Sequence, residues 1–519
     1  MHILKYAVFL SCLFLSACMV GPDYKEPPKP TASHWKKNNS SVTEKPFRNP
    51  EWWASFHDPI LTELIYKGYS SNVSLQSTGV RVLQARAQLA QSVGELYPQQ
   101  QAIIGNYTYN RIGGSSLQNI LPTNFDTAML GFTLNWEMDF WGKYRRAILA
   151  NNATFLASIA AYDNALITLT SDIANAYIKI RTIQAQIKVI QENIVVQKIG
   201  VNLAEIRYHS GQTSLLDVEQ AKTELAETQS KLPTFVAQLQ IQKDALSILL
   251  SEEPNQLDAI LNGHRGIPQV PLSVAVGIPK ETLERRPDIY QARLEAISQS
   301  EMIGAEKANL FPAFSLTGTF AFAANNIGSS SVSNITHWSN RTITAGPGVN
   351  WPFLNYGQIT NAVRTQDAAF QQALLNYVNV VLQAQQEVQD GITTFVEAKL
   401  AKNYLIEADR AATKTLQLAL IRYKEGETDF TPVLNAEQQQ LRVQSSLINA
   451  EGDIPQAFVS LYRALGGGWE IRRGNDVVPQ SMKREMASRT NWGDLLQQKE
   501  HEIPANSQQW FKQLYLPKW

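Results

Sequence analysis

The chain has 519 residues with 46 basic and 46 acidic side chains, so it lacks the basic excess of a nucleic-acid-binding protein. Its two cysteines, Cys12 and Cys18, cannot build a disulfide framework. Beyond the N-terminal leader no apolar run reaches the ~18 residues of a membrane-spanning helix.

At the N-terminus, Lys5 precedes an apolar run Ala7–Leu15 and then Leu15-Ser16-Ala17-Cys18. This is a secretory signal ending in a lipoprotein lipobox, in which residues 1–17 are removed and Cys18 is acylated to become the first mature residue. The Pro-rich stretch Gly21–Pro30 that follows predicts an extended tether over 18–50.

The first repeat, residues 51–265, opens with a helix near Asn72–Leu96, followed by a β-hairpin over about 99–140. In its second strand Leu130, Phe132, Leu134, Trp136, Met138 and Phe140 alternate with Gly131, Thr133, Asn135, Glu137 and Asp139. A helix predicted over about 143–208 carries apolar residues in 4-3 alternation: Ile148, Phe155, Ile159, Tyr162, Leu166, Leu169 and onward to Ile194. At 1.5 Å per residue it is about 100 Å long, more than one globular core covers, so it needs partner helices. One of them returns over about 215–250, with Val218, Leu225, Leu232, Leu239 and Leu246 spaced by seven.

Residues 266–469 repeat this plan, with a helix at about 288–310, a hairpin at about 313–353, a long helix at about 358–423 and a returning helix at about 433–465. Trp136, Gly142, Arg207, Tyr208 and Gly211 recur as Trp351, Gly357, Arg422, Tyr423 and Gly426, each at an offset of 215. The heptad stripe recurs in register until Lys402 and Asp409 interrupt it. The polar segment 470–519 lies outside the repeat and has no readable role.

The hairpins give four strands, too few to close a barrel, yet with the apolar outer and small polar inner faces of a lipid-facing one. Hairpins from several subunits sharing one membrane barrel satisfy both facts. Each long helix ends in a matching tip, Arg207–Gln220 and Arg422–Gln438, where Gly211 and Gly426 suit the left-handed helix stop. Glu219-Gln220 matches Glu437-Gln438 at an offset of 218, so the second tip holds three extra residues. Arg207, Tyr208, Arg422 and Tyr423 are candidate contact residues of an aperture, against simple helix-end charge complementarity. Asp217 and Asn435, on the returning helices, and Thr431 beside them are candidates for the constriction. There is no HExxH, GxSxG or phosphate-binding loop, and the seven His are scattered, so neither enzyme chemistry, a metal site nor a cofactor is expected.

The segments "CMVGPDYKEP", "WWASFHDPILTELI", "LNWEMDFWGKYRR", the first tip, "ERRPDIYQA", "LFPAFSLTG", the second tip and "LYRALGGGW", in this order over 18–469, resemble the outer-membrane factor (TolC-like) family. Within it they resemble the NodT/OprM-like lipoprotein branch of resistance-nodulation-division efflux systems. The resemblance implies a mainly α fold with transmembrane β: a homotrimer whose protomers each give four strands to a shared twelve-stranded outer-membrane barrel and their helices to a long antiparallel α-helical barrel. It implies a Gram-negative outer-membrane exit duct, with no catalysis, that receives drugs or other small toxic solutes from a periplasmic adaptor (membrane fusion) protein and an inner-membrane pump. The adaptor would dock on Arg207, Tyr208, Gly211, Arg422, Tyr423 and Gly426, and Tyr423 and Asp217 match a family latch.

Where family members carry an arginine and an aspartate, this chain has Thr428 and Asn435, which predicts a weaker acidic ring and a latch resting on Arg422 or Lys424. Metal-ion efflux and type I secretion are the alternatives within the duct reading, although the mature chain is not rich in Met. The alternative from a different class is a structural envelope lipoprotein without a pore, which leaves the paired strands unexplained.

Overall fold

The computed structural model describes residues 19–28, 30–36, 42–44, 50–113, 122–261, 266–271 and 273–497. Its seven principal helices are α1 (Pro59–Ser71), α2 (Val73–Gly94), α3 (Lys143–His209), α4 (Leu215–Leu249), α5 (Pro287–Ala308), α6 (Gln358–Glu425) and α7 (Thr431–Ala464). The strands are β1 (Gln100–Arg111), β2 (Asn124–Met138), β3 (Ala313–Asn325) and β4 (Arg341–Asn350).

β1 to β4 form one antiparallel sheet in chain order, with β2 joining β3 across the two repeats. The register lines up Ile103, Phe132, Phe320 and Ile343 in one row and Ala102, Thr133, Thr319 and Thr344 in the next. One face of the sheet is therefore aromatic and aliphatic and the other small and polar. The alternation through Phe140 and Phe353 outruns the strands, which stop at Met138 and Asn350.

Below the sheet α3 is the spine. It buries Ile148, Phe155, Ile159, Tyr162, Leu166, Ile173 and Ile180, the residues of the 4-3 stripe. α2, α4, α5 and α7 all pack on it, while α6 packs on α5 and α7. No one of these partners matches its 67 residues, and two splices solve this. In the first repeat Asn72 accepts from Leu75 N at 2.7 Å, capping α2, and donates to Leu249 O at 2.8 Å, closing the end of α4. In the second, Arg286, which precedes α5, donates to Ala464 O at 2.6 Å and pairs with Asp288 and Glu387. Each splice makes two shorter helices into one long partner.

The described residues of the expected tether, 19–28 and 30–36, are not free but pinned to the body at several points. Val20 N donates to Trp141 O at 3.0 Å, and Arg146, buried at the head of α3, holds Asp23 at 3.0 Å and Glu301 at 2.7 Å. Further on, Tyr377 donates to Glu26 at 2.9 Å, and the Gln385 amide accepts from Ala32 N and donates to Pro30 O. Met19 sits against Gly142, whose φ of +80° and lack of Cβ let the chain cross there. Cys18, the expected lipid site, and residues 498–519 lie outside the described residues.

Residues 470–497 are not a free tail. The buried side chains of Val477, Val478 and Leu496 pack into the core, and Arg86 of α2 donates to Leu495 O at 2.8 Å. Arg472 meets Asp163 of α3 through two bonds of 2.6 and 3.0 Å, both side chains being 3% exposed. Nearby, Trp52 stacks on Tyr462 at 5.9 Å and lies against Gly468, so the "WWASF" and "GGGW" motifs meet at one waist.

Arg472→Met leaves Asp163 buried without its guanidinium and is expected to destabilise the fold by about 3–5 kcal/mol. The measurement is the thermal or urea midpoint of the detergent-extracted protein. Adding Asp163→Leu is expected to restore most of the loss.

Candidate functional site: the helix tips

Both long helices stop in the same way. Gly211 N donates to Tyr208 O at 2.9 Å and Gln212 N to Arg207 O at 2.8 Å, and Gly426 N and Glu427 N repeat the pair with Tyr423 O and Arg422 O. The two glycines have φ of +71° and +82°, where a side chain is strained.

The side chains break this symmetry. In the first copy Arg207 is buried and Tyr208 exposed; in the second Tyr423 is fully buried and Arg422 exposed. Adjacent positions on a helix lie about 100° apart, so each helix turns only one member of its Arg-Tyr pair into the bundle. The two that turn inward meet, with the Arg207 guanidinium 4.5 Å from the centre of the Tyr423 ring. A desolvated cation over a tyrosine contributes about 0.5–2 kcal/mol.

Around this contact lie Ala204, Val218, Leu416, Val433 and Phe430, whose ring meets Tyr423 edge-on at 5.2 Å. Asp217, 4% exposed, accepts from Thr213. Burial first, and then the Asp217 charge, push the Tyr423 phenol above its ordinary pKa. Arg207, Tyr423 and Asp217 thus form one cluster inside a protomer.

The other candidates stay outside it. Arg422 pairs with Glu427 at 3.1 Å on the surface, and Tyr208 lies beside His209. Thr431 and Asn435 are exposed on α7, and Lys424 is exposed at the end of α6. Asp217 and Asn435, at matching positions in the repeat, therefore differ, one being enclosed and the other presented outward. Phe430 and Thr213 are members that pattern reading missed. The three extra residues of the second tip were the available signal for Phe430, since they give the chain length to fold that ring inward.

An apolar-faced antiparallel sheet set on spliced helices, with enclosed tips at the far end, defines a channel of the outer membrane. The chain belongs to the outer membrane efflux protein family, whose model matches residues 64–252 and 278–467, one block in each repeat. Nodulation protein T of Rhizobium leguminosarum bv. trifolii is 25% identical over 90% of this chain and 98% of its own length. The cation efflux system protein CusC of Escherichia coli is also 25% identical, over 90% and 99%. Among solved structures the outer-membrane channel OprN superposes with a TM-score of 0.81 at 27% identity, covering 87% of this chain and all of that one. The fold is that of the TolC-like channels.

A double-mutant cycle of Arg207→Ala and Tyr423→Ala, read as the closed-state lifetime in single-channel recordings, is expected to give a coupling of about 0.5–2 kcal/mol. Tyr208→Ala and Arg422→Ala, at the matching but exposed positions, are expected to change the lifetime little.

Proposed function

We propose that this protein is the passive exit duct of a tripartite efflux system, acting as a homotrimer that takes small toxic solutes from a periplasmic adaptor and an inner-membrane RND-type pump. The observation that carries the trimer is that the protomer has open edges at both levels and on the same two sides. β1 and β4 are the unpaired edges of the sheet. Beneath β1 run α2 and α4, and beneath β4 runs α6, the outer members of the helical layer.

Unpaired strand edges are not tolerated in lipid, so β4 needs another β1. Below, α6 exposes Leu375, Leu382, Leu400, Tyr404 and Leu418, and α4 exposes Val236, Ile241 and Ile248. A head-to-tail ring joins each open edge to its complement, and three copies of four strands give the twelve of a small barrel. The small polar face of the sheet then lines the lumen and the aromatic face meets lipid. Met19 lies beside Gly142 where the strands end, which supports lipid attachment of the chain at the periplasmic membrane surface.

The tips are the part of the duct farthest from the membrane and are the docking rim for the adaptor, with Tyr208, Arg422, Gly211 and Gly426 outward and the Arg207–Tyr423–Asp217 cluster behind them. The chain needs no chemistry of its own, because the pump supplies the energy. Relatives of equal identity are named for nodulation and for cation efflux, which supports cargo choice by the pump rather than by the duct.

Native mass in mild detergent is expected to be that of a trimer; a folded monomer would overturn the shared barrel. Deleting the gene is expected to sensitise cells to dyes, detergents or antibiotics. Sensitisation confined to copper or silver would reassign the duct to metal-ion efflux.

A further inference from the structure

About two turns along the chain from Phe430 and next to the Tyr423 cluster, α4 and α7 each bury a glutamate against α3. Glu224 is 3% and Glu437 2% exposed. The Glu224 carboxylate is supplied with donors, accepting from Gln438 Nε2 at 2.7 Å and Gln197 Nε2 at 3.5 Å. Glu437 is not, since its Oε1 is buried without a hydrogen-bond partner. It lies over Gly200 of α3, so closely that a Cβ there would be 3.2 Å from Oε1.

Among the described residues no positive charge acts on Glu437. α3 sets Gly200 against its Oε1 with Phe430 of the head of α7 beside that glycine, Gln197 of α3 is turned to Glu224, and on α6 Thr413 accepts from Gln440, three residues further along α7. From α4 comes Glu224, the one charge among the described residues that acts on it. Glu224 also lines a groove with Glu227, Lys231 and Arg442, and Arg207 lies over the Tyr423 ring. An ionised Glu437 would be desolvated, short of a donor and close to a like charge. Burial first and Glu224 second raise its pKa from 4.5 to about 8.

The seam is continuous with the tips. Gly200 also faces the Phe430 ring, at 3.7 Å from a Cβ position, and Phe430 meets Tyr423 edge-on. Separating α4 and α7 from α3 would open the Tyr423 cluster and wet Glu437 together.

We propose that Glu437 is a proton-binding element of the aperture: closed tips hold its carboxyl protonated between α3, α4 and α7, and dilation ionises it. This rests on the aperture reading of the tips above. The closed state binds one proton more than the dilated one, so closure is fully favoured below the ordinary value of 4.5 and loses that support as pH rises through about 8. Between those limits the open-to-closed ratio is expected to rise by up to about tenfold per pH unit. Glu224→Gln removes the like charge but not the burial, so it is expected to lower the midpoint without abolishing the response.

The test pairs two readouts on the detergent-extracted assembly. Infrared titration is expected to show a protonated-carboxyl band near neutral pH that is lost with a midpoint near 8 and is missing in Glu437→Gln. Planar-bilayer recordings are expected to show the wild-type open fraction rising with pH, and Glu437→Gln closed and flat. A pH response unchanged by Glu437→Gln overturns the proposal. So does a wild-type infrared titration with no carboxyl deprotonating in that range, which decides the matter even if the variant fails to assemble. A channel that conducts but ignores pH sinks the proton element alone, whereas no conductance at any pH sinks the aperture reading as well.

Discussion

A helix of 67 residues exposes more surface than any single partner in this chain covers, and the architecture follows from how α3 is covered. Helix ends leave unsatisfied N–H and C=O groups, so laying two short helices end to end beside a long one creates a buried polar break. Asn72 satisfies the break in the first repeat with one neutral amide that accepts on one side and donates on the other. Arg286 closes the second with a cation that needs Asp288 and Glu387 beside it. The same problem is solved twice with different chemistry, which is why the splice residues do not show up as a repeat in the sequence.

The splices set the height at which everything else docks. The waist where Trp52, Tyr462 and Gly468 meet lies alongside them, and residues 470–497 lie across the same level, fixed by Arg472 and Asp163. Above it, Arg146 ties the head of α3 to Glu301 of α5 and to Asp23, so the N-terminal segment is registered to the base of the strands. Below it α6 is held to α7 by Lys402 with Glu451 at 3.1 Å and by Gln440, which donates to Thr413, and its outer face is left for a neighbour.

At the tips the two copies of one motif are used as complements. An exact repeat would bury two arginines or two tyrosines; a buried pair of guanidinium groups would repel, and two phenols would need partners. Turning Arg207 inward from one helix and Tyr423 from the other sets a guanidinium on an aromatic face in place of two like groups side by side. The additional length of the second tip carries Phe430 into the same cluster, and through Gly200 that cluster runs on to the carboxyl pair. An internally repeated sequence therefore yields one asymmetric cluster per protomer.

Periodicity made the helices and strands legible: the 4-3 stripe from Ile148 to Ile194 and the two-residue alternation around Trp136 dictate which faces are apolar, whatever they later touch. The stops at Gly211 and Gly426 were equally plain, because only glycine takes a positive φ without strain. What the sequence left open was partnership. That Arg207 and not Arg422 goes inward, that Asp217 is enclosed while Asn435 is exposed, and that Glu437 lies over Gly200 depend on the rotation of each helix about its axis. That rotation is fixed by packing against helices distant in the chain, to which local pattern is blind.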